Sequence, residues 1–117
     1  MKGVRQTREI AEVDGVDMIF IGRNDLAADC GHILQLDDPE VNALVDEVLS
    51  VTKAVGKKIG TVPSAQRSQD QLFAEGFDLV IPSSDLSILR VAGQTEVNSF
   101  RVRNRNGEGP KSALSGY

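Results

Sequence analysis

Asp25 is the residue best placed for chemistry. It follows the apolar run Met18-Ile19-Phe20-Ile21 and the short polar stretch Gly22-Arg23-Asn24-Asp25. Unbroken apolar runs mark parallel strands covered on both faces, and ligand sites in α/β folds lie where such strands end. A carboxylate at that place can reach a metal ion or a substrate. Magnesium and manganese take oxygen ligands, and one carboxylate at a strand end is half of a minimal site. Spacing alone leaves a second reading open, in which Asp25 caps a turn over residues 27–31, since Asp and Asn are ordinary turn residues.

The neighbouring polar groups read more plainly. Cys30 and His32 are separated by one glycine, which is not zinc-ligand spacing, and no second cluster completes a tetrahedral site. Cys30 reads as a small packing residue and His32 as a loop residue able to face the site. Asp29, Asp37 and Asp38 read as loop and cap carboxylates, and Arg23 as a solvated arginine. Ser64, Ser83 and Ser84 follow apolar runs and prolines, where capping explains them as well as anion binding does. No histidine–aspartate pattern points at any of them, so an acyl-transfer triad is not expected.

The elements that must position Asp25 follow from periodicity. Residues 1–13 read as a helix, with Val4, Thr7, Ile10, Ala11 and Val13 near helical spacing. A strand over residues 17–22 leads into a loop over residues 23–38. Asp38 is an N-cap and Pro39 a first helical residue. Val41, Leu44, Val45, Val48, Leu49, Thr52 and Val55 then recur at three- and four-residue steps up to Gly56. A second strand spans residues 57–62. After Pro63, Ser64 is expected to cap a helix running to Glu75 and Gly76. A third strand over residues 77–81 stops at Pro82, and Ser83 or Ser84 opens a last helix to about Arg101. Three strand–helix alternations with short joins are the pattern of parallel βα units. Gly15-Val16-Asp17 and Gly76-Phe77-Asp78 introduce strands alike, a faint internal echo.

Composition bounds the rest. The 117 residues make one small domain, far below the ~250 of a closed (β/α)₈ barrel. A formal net charge of −4 argues against a nucleic-acid partner. No apolar run nears the ~20 residues that cross a bilayer, so no membrane partner is expected. The first residues lack the apolar centre of a secretory signal. Cys30 is the single cysteine, which rules out an internal disulfide. A cytoplasmic location is the expectation. Residues 1–101 are read as the folded domain, and residues 102–117, without periodicity and rich in Gly and Arg, as a disordered tail.

Gly15-Val16-Asp17, Ile19-Phe20-Ile21-Gly22 and Asp25-Leu26-Ala27-Ala28, closing on Gly31 and followed by Asp38-Pro39-Glu40-Val41, resemble the HpcH/HpaI aldolase/citrate lyase family. The resemblance spans roughly residues 9–100 and is nearest to the metal-dependent aldolases that work through pyruvate enolate. It implies an α/β fold built as the last three βα units of a (β/α)₈ TIM barrel. It also implies reversible cleavage of a 4-hydroxy-2-oxo acid to pyruvate and an aldehyde. By the same resemblance Asp25 is a metal ligand for Mg2+, Mn2+ or another divalent ion. The backbone amides of Asn24 and Asp25 hold the pyruvyl carboxylate, and Gly22 permits close approach. The substrate is a small 2-oxo acid, and a complete barrel would form a homo-oligomer. Arg23 departs from the pattern, which more often has proline or a small residue there. The family's glutamate ligand, histidine base and enolate-steadying arginine belong to segments this chain does not include, so no catalytic acid–base residue is assigned. Two other readings stand beside this one. The chain could be a non-catalytic partial-barrel interaction module, or an unrelated small doubly wound α/β binding domain.

Overall fold

The computed structural model describes residues 2–105. The chain divides into two compact units at the junction of Pro82 and Ser83. The first holds α1 (Lys2–Arg5), α2 (Thr7–Ala11), β1 (Met18–Ile21), α3 (Arg23–Asp29), α4 (Pro39–Ala54), β2 (Lys58–Thr61), α5 (Gln69–Glu75) and β3 (Leu79–Val80). The second holds α6 (Asp85–Arg105). The class is α/β, with a three-stranded parallel sheet in the order β1-β2-β3.

The register places Phe20, Gly60 and Leu79 side by side, and Ile21, Thr61 and Val80 beside one another. Because side chains alternate across a strand, these two rows face opposite ways. Ile21, Ile59, Thr61 and Val80 are buried, in one core with Leu26 and Ala27 of α3, Val41, Val45 and Val48 of α4, and Leu72 of α5. On the other face Met18, Phe20, Leu79 and Ile81 are 36–44 % exposed. One side of the sheet is therefore packed and the other open.

Most local expectations hold. Asp38 caps α4, its Oδ1 accepting from the Glu40 amide at 2.8 Å, with Pro39 in the first turn. The α4 stripe Val41, Val45, Val48 and Thr52 is buried, and Gly56 and Gly76 follow α4 and α5 with positive φ. Asp78 ties β3 to β2: its carboxylate accepts from Lys53 Nζ at 2.8 Å and from the Ile59 amide at 2.9 Å. Those bonds, the lysine first, hold its proton affinity below the usual carboxylate range.

Three boundaries differ from expectation. The residues read as a polar turn and loop after Gly22 form a helix, α3. Arg23, Leu26, Ala27 and Cys30 recur at helical steps and pack inward, a stripe that a leading arginine conceals. Ser64 does not cap α5. Ser68 does, in a reciprocal capping box with Gln71, while the Ser64 hydroxyl bonds Asp37. The last helix runs on through residues 102–105, which the sequence pattern assigns to the tail. Residues 106–117, the rest of that expected tail, lie outside the described residues.

Gly60 is the tightest point of the sheet. A Cβ there would lie 2.8 Å from a ring carbon of Phe20 and 3.1 Å from Leu79 Cβ. Gly60→Ala is expected to cost about 1–3 kcal/mol, the usual cost of overpacking, read as a lower urea midpoint. An unchanged midpoint would contradict this packing.

Candidate active site

β1 ends at Ile21 and α3 begins at Arg23, so Gly22 alone makes the change of direction. Gly22 is the N-cap of α3 and has no side chain to satisfy the first amides. The first intrahelical bond runs from the Leu26 amide to the Gly22 carbonyl at 2.9 Å. The Asn24 and Asp25 amides, one step earlier, have no such partner, as expected at a helix start. Asp25 lies back over this turn. A Cβ built on Gly22 would stand only 2.9 Å from Asp25 Oδ2, so the absence of a side chain at Gly22 makes room for the carboxylate. Among the described residues no hydrogen bond or ion pair engages the Asp25 carboxylate, which is exposed. It does not serve as the cap of a turn.

Asp25 opens onto a groove of about 730 Å³ along the free edge of β1. Val4 and Ile10 form one wall, Met18 and Phe20 another, and Asp25 and Asp29 stand at the end where the strand stops. The lining is mostly apolar with two carboxylates one helical turn apart. Gly22, Asn24 and Asp25 thus come together at one strand end. A carboxylate over a bare glycine, with water access and no competing bond, has donor chemistry that fits a hard divalent cation.

The remaining candidates are occupied elsewhere. Ser64 bonds Asp37, Ser83 donates to the Ser84 carbonyl, and Ser84 pairs with Ser87. Cys30 is half-buried and packs on the core. His32 lies across the N-terminus of α4, 3.0 Å from Glu40 and 3.6 Å from Asp38.

Arg23 is the largest departure from the sequence reading. It is not solvated but fully buried. Its Nη2 donates to the Leu36 carbonyl and to Asn42 Oδ1, both at 2.6 Å, and lies 3.8 Å from Asp37. Nε and Nη1 have no hydrogen-bond partner among the described residues. Burial first, then the neighbouring Arg67, lower its proton affinity, and Asp37, Asp46 and Glu75 oppose them. The guanidinium nevertheless keeps its charge. Arg67 bridges α4 and α5 through Asp46 at 2.9 Å and Glu75. Burial works against that cation, and its bonds to Glu75 and Asp46 outweigh it. Nothing in the spacing marks either arginine as internal, because their partners lie 13 or more and 8 or more residues away.

Arg23→Ala should cost about 2–5 kcal/mol, because the Leu36 carbonyl and Asn42 Oδ1 lose a charged donor and a buried volume is vacated. Denaturant unfolding measures the loss, and hydrogen exchange should show faster opening of the loop at Leu36. A loss below about 1 kcal/mol would mean that water or a neighbour replaces the guanidinium.

The family model for HpcH/HpaI aldolase/citrate lyase matches residues 1–92. The hydroxypyruvate/pyruvate aldolase of Chromohalobacter salexigens is 35% identical over 99 residues, covering 85% of this chain and 39% of that protein. The 5-keto-4-deoxy-D-glucarate aldolase of an Enterobacter species is 35% identical over 99 residues with the same coverage. Among solved structures, a HpcH/HpaI aldolase/citrate lyase family protein from Burkholderia cenocepacia superposes with a TM-score of 0.74 at 31% identity, over 85% of this chain and 38% of that one. The citrate synthase SbnG superposes with a TM-score of 0.81 at 25% identity, over 89% and 42%. The chain thus spans about two fifths of the length of the proteins it matches. A match over residues 1–92, carried by both sequence and three-dimensional likeness, makes this chain a member of the HpcH/HpaI aldolase/citrate lyase family.

Proposed function

We propose that residues 2–101 are the last three βα units of a (β/α)₈ barrel and carry part of a metal-dependent aldolase site. The reaction is carbon–carbon cleavage of a 4-hydroxy-2-oxo acid to pyruvate and an aldehyde. The observation that carries this reading is the unengaged Asp25 carboxylate lying over Gly22 at the end of β1. Names of the relatives support the substrate class, since they include pyruvate and keto-deoxy-glucarate aldolases.

Each residue then has one task. Asp25 holds Mg2+ or Mn2+, whose chemistry is to polarise the 2-oxo carbonyl and favour negative charge on its oxygen. The Asn24 and Asp25 amides donate to the substrate carboxylate, and the helix start adds partial positive charge. Gly22 lets that carboxylate approach the backbone. The apolar groove along the β1 edge is where a preceding strand of the barrel would pack. The family's second ligand, on a strand before residues 1–13, would enter by the free edge of β1.

A second reading is favoured by one feature. The exposed Met18, Phe20, Leu79 and Ile81 row and the unpaired β1 edge suit a partial barrel that docks onto another subunit without catalysis.

Exchange of the pyruvate methyl protons in deuterated water with magnesium, followed by NMR, separates the two readings. The 117-residue chain alone should exchange at the background rate, since general acid–base help is commonly worth ~10²–10⁴-fold and the family's base lies in the front of the barrel. A chimera joining it to the front of the Chromohalobacter barrel should exchange, and Asp25→Asn should abolish that. A folded chimera indifferent to Asp25→Asn would remove Asp25 from the site. A folded chimera with no exchange would favour the docking module.

A further inference from the structure

The loop between α3 and α4 brings together three side chains that the aldolase reading does not use. His32, Asp38 and Glu40 each offer a ligand atom, and these atoms lie within 4.8 Å of one another. Nε2 of His32 stands 3.0 Å from Glu40 Oε2, and Nδ1 stands 3.6 Å from Asp38 Oδ2. Glu40 is half-exposed, while His32 and Asp38 are each less than a third exposed, so an ion can enter from solvent.

The backbone brings the three residues together, and a shared ion takes one ring nitrogen, which a turn of the imidazole aims between the two carboxylates. Asp38 spends only Oδ1 on its cap, at 2.8 Å from the Glu40 amide, and leaves Oδ2 turned to the imidazole. Pro39 fixes the step between Asp38 and Glu40. The His32 amide donates to the Ala27 carbonyl at 2.8 Å, and its carbonyl accepts from the Gln35 amide at 2.9 Å. The loop is anchored further by Arg23 on Leu36 and by Ser64 on Asp37.

We propose that His32, Asp38 and Glu40 form a second cation site, taking a borderline first-row divalent ion such as zinc, cobalt or nickel. An imidazole nitrogen favours these ions over magnesium or calcium, and two carboxylates balance the charge. One nitrogen and two oxygens leave one or more positions for water. The site lies at the far end of α3 from Asp25, and it stands whether or not the aldolase reading does. A cation at a helix N-terminus works against the helix dipole. That opposition weakens binding by less than about tenfold, and the ion's effect is to clamp the loop onto α4.

Cobalt(II) added to the untagged 117-residue chain tests this, because His32 is its single histidine and its ring protons report one place. Equimolar cobalt should broaden those NMR signals, and zinc should displace it. His32→Gln, Glu40→Gln and Asp38→Asn should each weaken cobalt binding by at least about tenfold, the loss seen when even an outer partner of a ligand is removed. Asn keeps the cap, so Asp38→Asn separates the ligand role from the structural one. Asp70→Asn, which removes an exposed carboxylate on α5, should leave binding unchanged. Ring signals unmoved at equimolar cobalt would overturn the site. So would Asp38→Asn and Glu40→Gln variants that bind as the wild type does, which would show a lone surface imidazole. Loss of binding in Asp25→Asn would place the cation at the strand end instead.

Discussion

The tightest constraint on the site is that a strand and a helix meet with one residue between them. Ile21 ends β1, Arg23 begins α3, and Gly22 has to turn the chain while making room for Asp25 Oδ2. Any side chain at Gly22 would push the carboxylate off the turn. Because the helix starts at once, the first amides and the carboxylate point out from the same short stretch. A group that attracts cations and groups that attract carboxylates are thereby held side by side by backbone geometry.

Arg23 holds the other side of that junction. Its guanidinium reaches past the core to the Leu36 carbonyl and Asn42, joining the start of α3 to the loop and to α4. A fully buried cation with two unpartnered nitrogens is a costly way to make that link. Shifting α3 outward would expose the guanidinium but break both bonds. The helix carrying Asp25 is thus fixed by a long-range charge contact as much as by Leu26 and Ala27 in the core.

What could be read from the chain alone follows the range of the interactions. The α4 stripe, the Asp38 cap and the glycine stops are local, depending on residues a turn apart, and they came through nearly residue for residue. The parallel strand order followed from strand–helix alternation. Arg23 reads as solvated because its partners are 13 and 19 residues away and an arginine in a polar loop stretch carries no local sign of burial. Ser64 reads as a cap because its hydroxyl does accept locally, from the Arg67 amide at 3.2 Å, but it donates to Asp37, 27 residues back, and α5 starts only after Ser68. The cluster of His32 with Glu40 escaped for a similar reason. Loop residues 31–38 have no period to say which side chains converge. Asp25 stands out as a candidate because apolar run, glycine and aspartate follow closely and resemble the family's pattern, whereas its freedom from other bonds needs coordinates.

The sheet is open on one side, as the barrel proposal requires. Its helix-covered face is packed, while the Met18, Phe20, Leu79 row is exposed and, among the described residues, no strand pairs with the β1 edge. In the barrel reading, further strands complete both the core and the metal's ligand set. The claim that rests on this chain alone is that Asp25 receives a divalent ion together with an anion on the neighbouring amides. Manganese(II) titration followed by electron paramagnetic resonance, with and without oxalate, tests it most directly in a His32→Gln background that removes the loop cluster. The account predicts weak manganese binding that oxalate tightens, with the oxalate-dependent part lost in Asp25→Asn. Oxalate-tightened binding of equal strength in both proteins would contradict it.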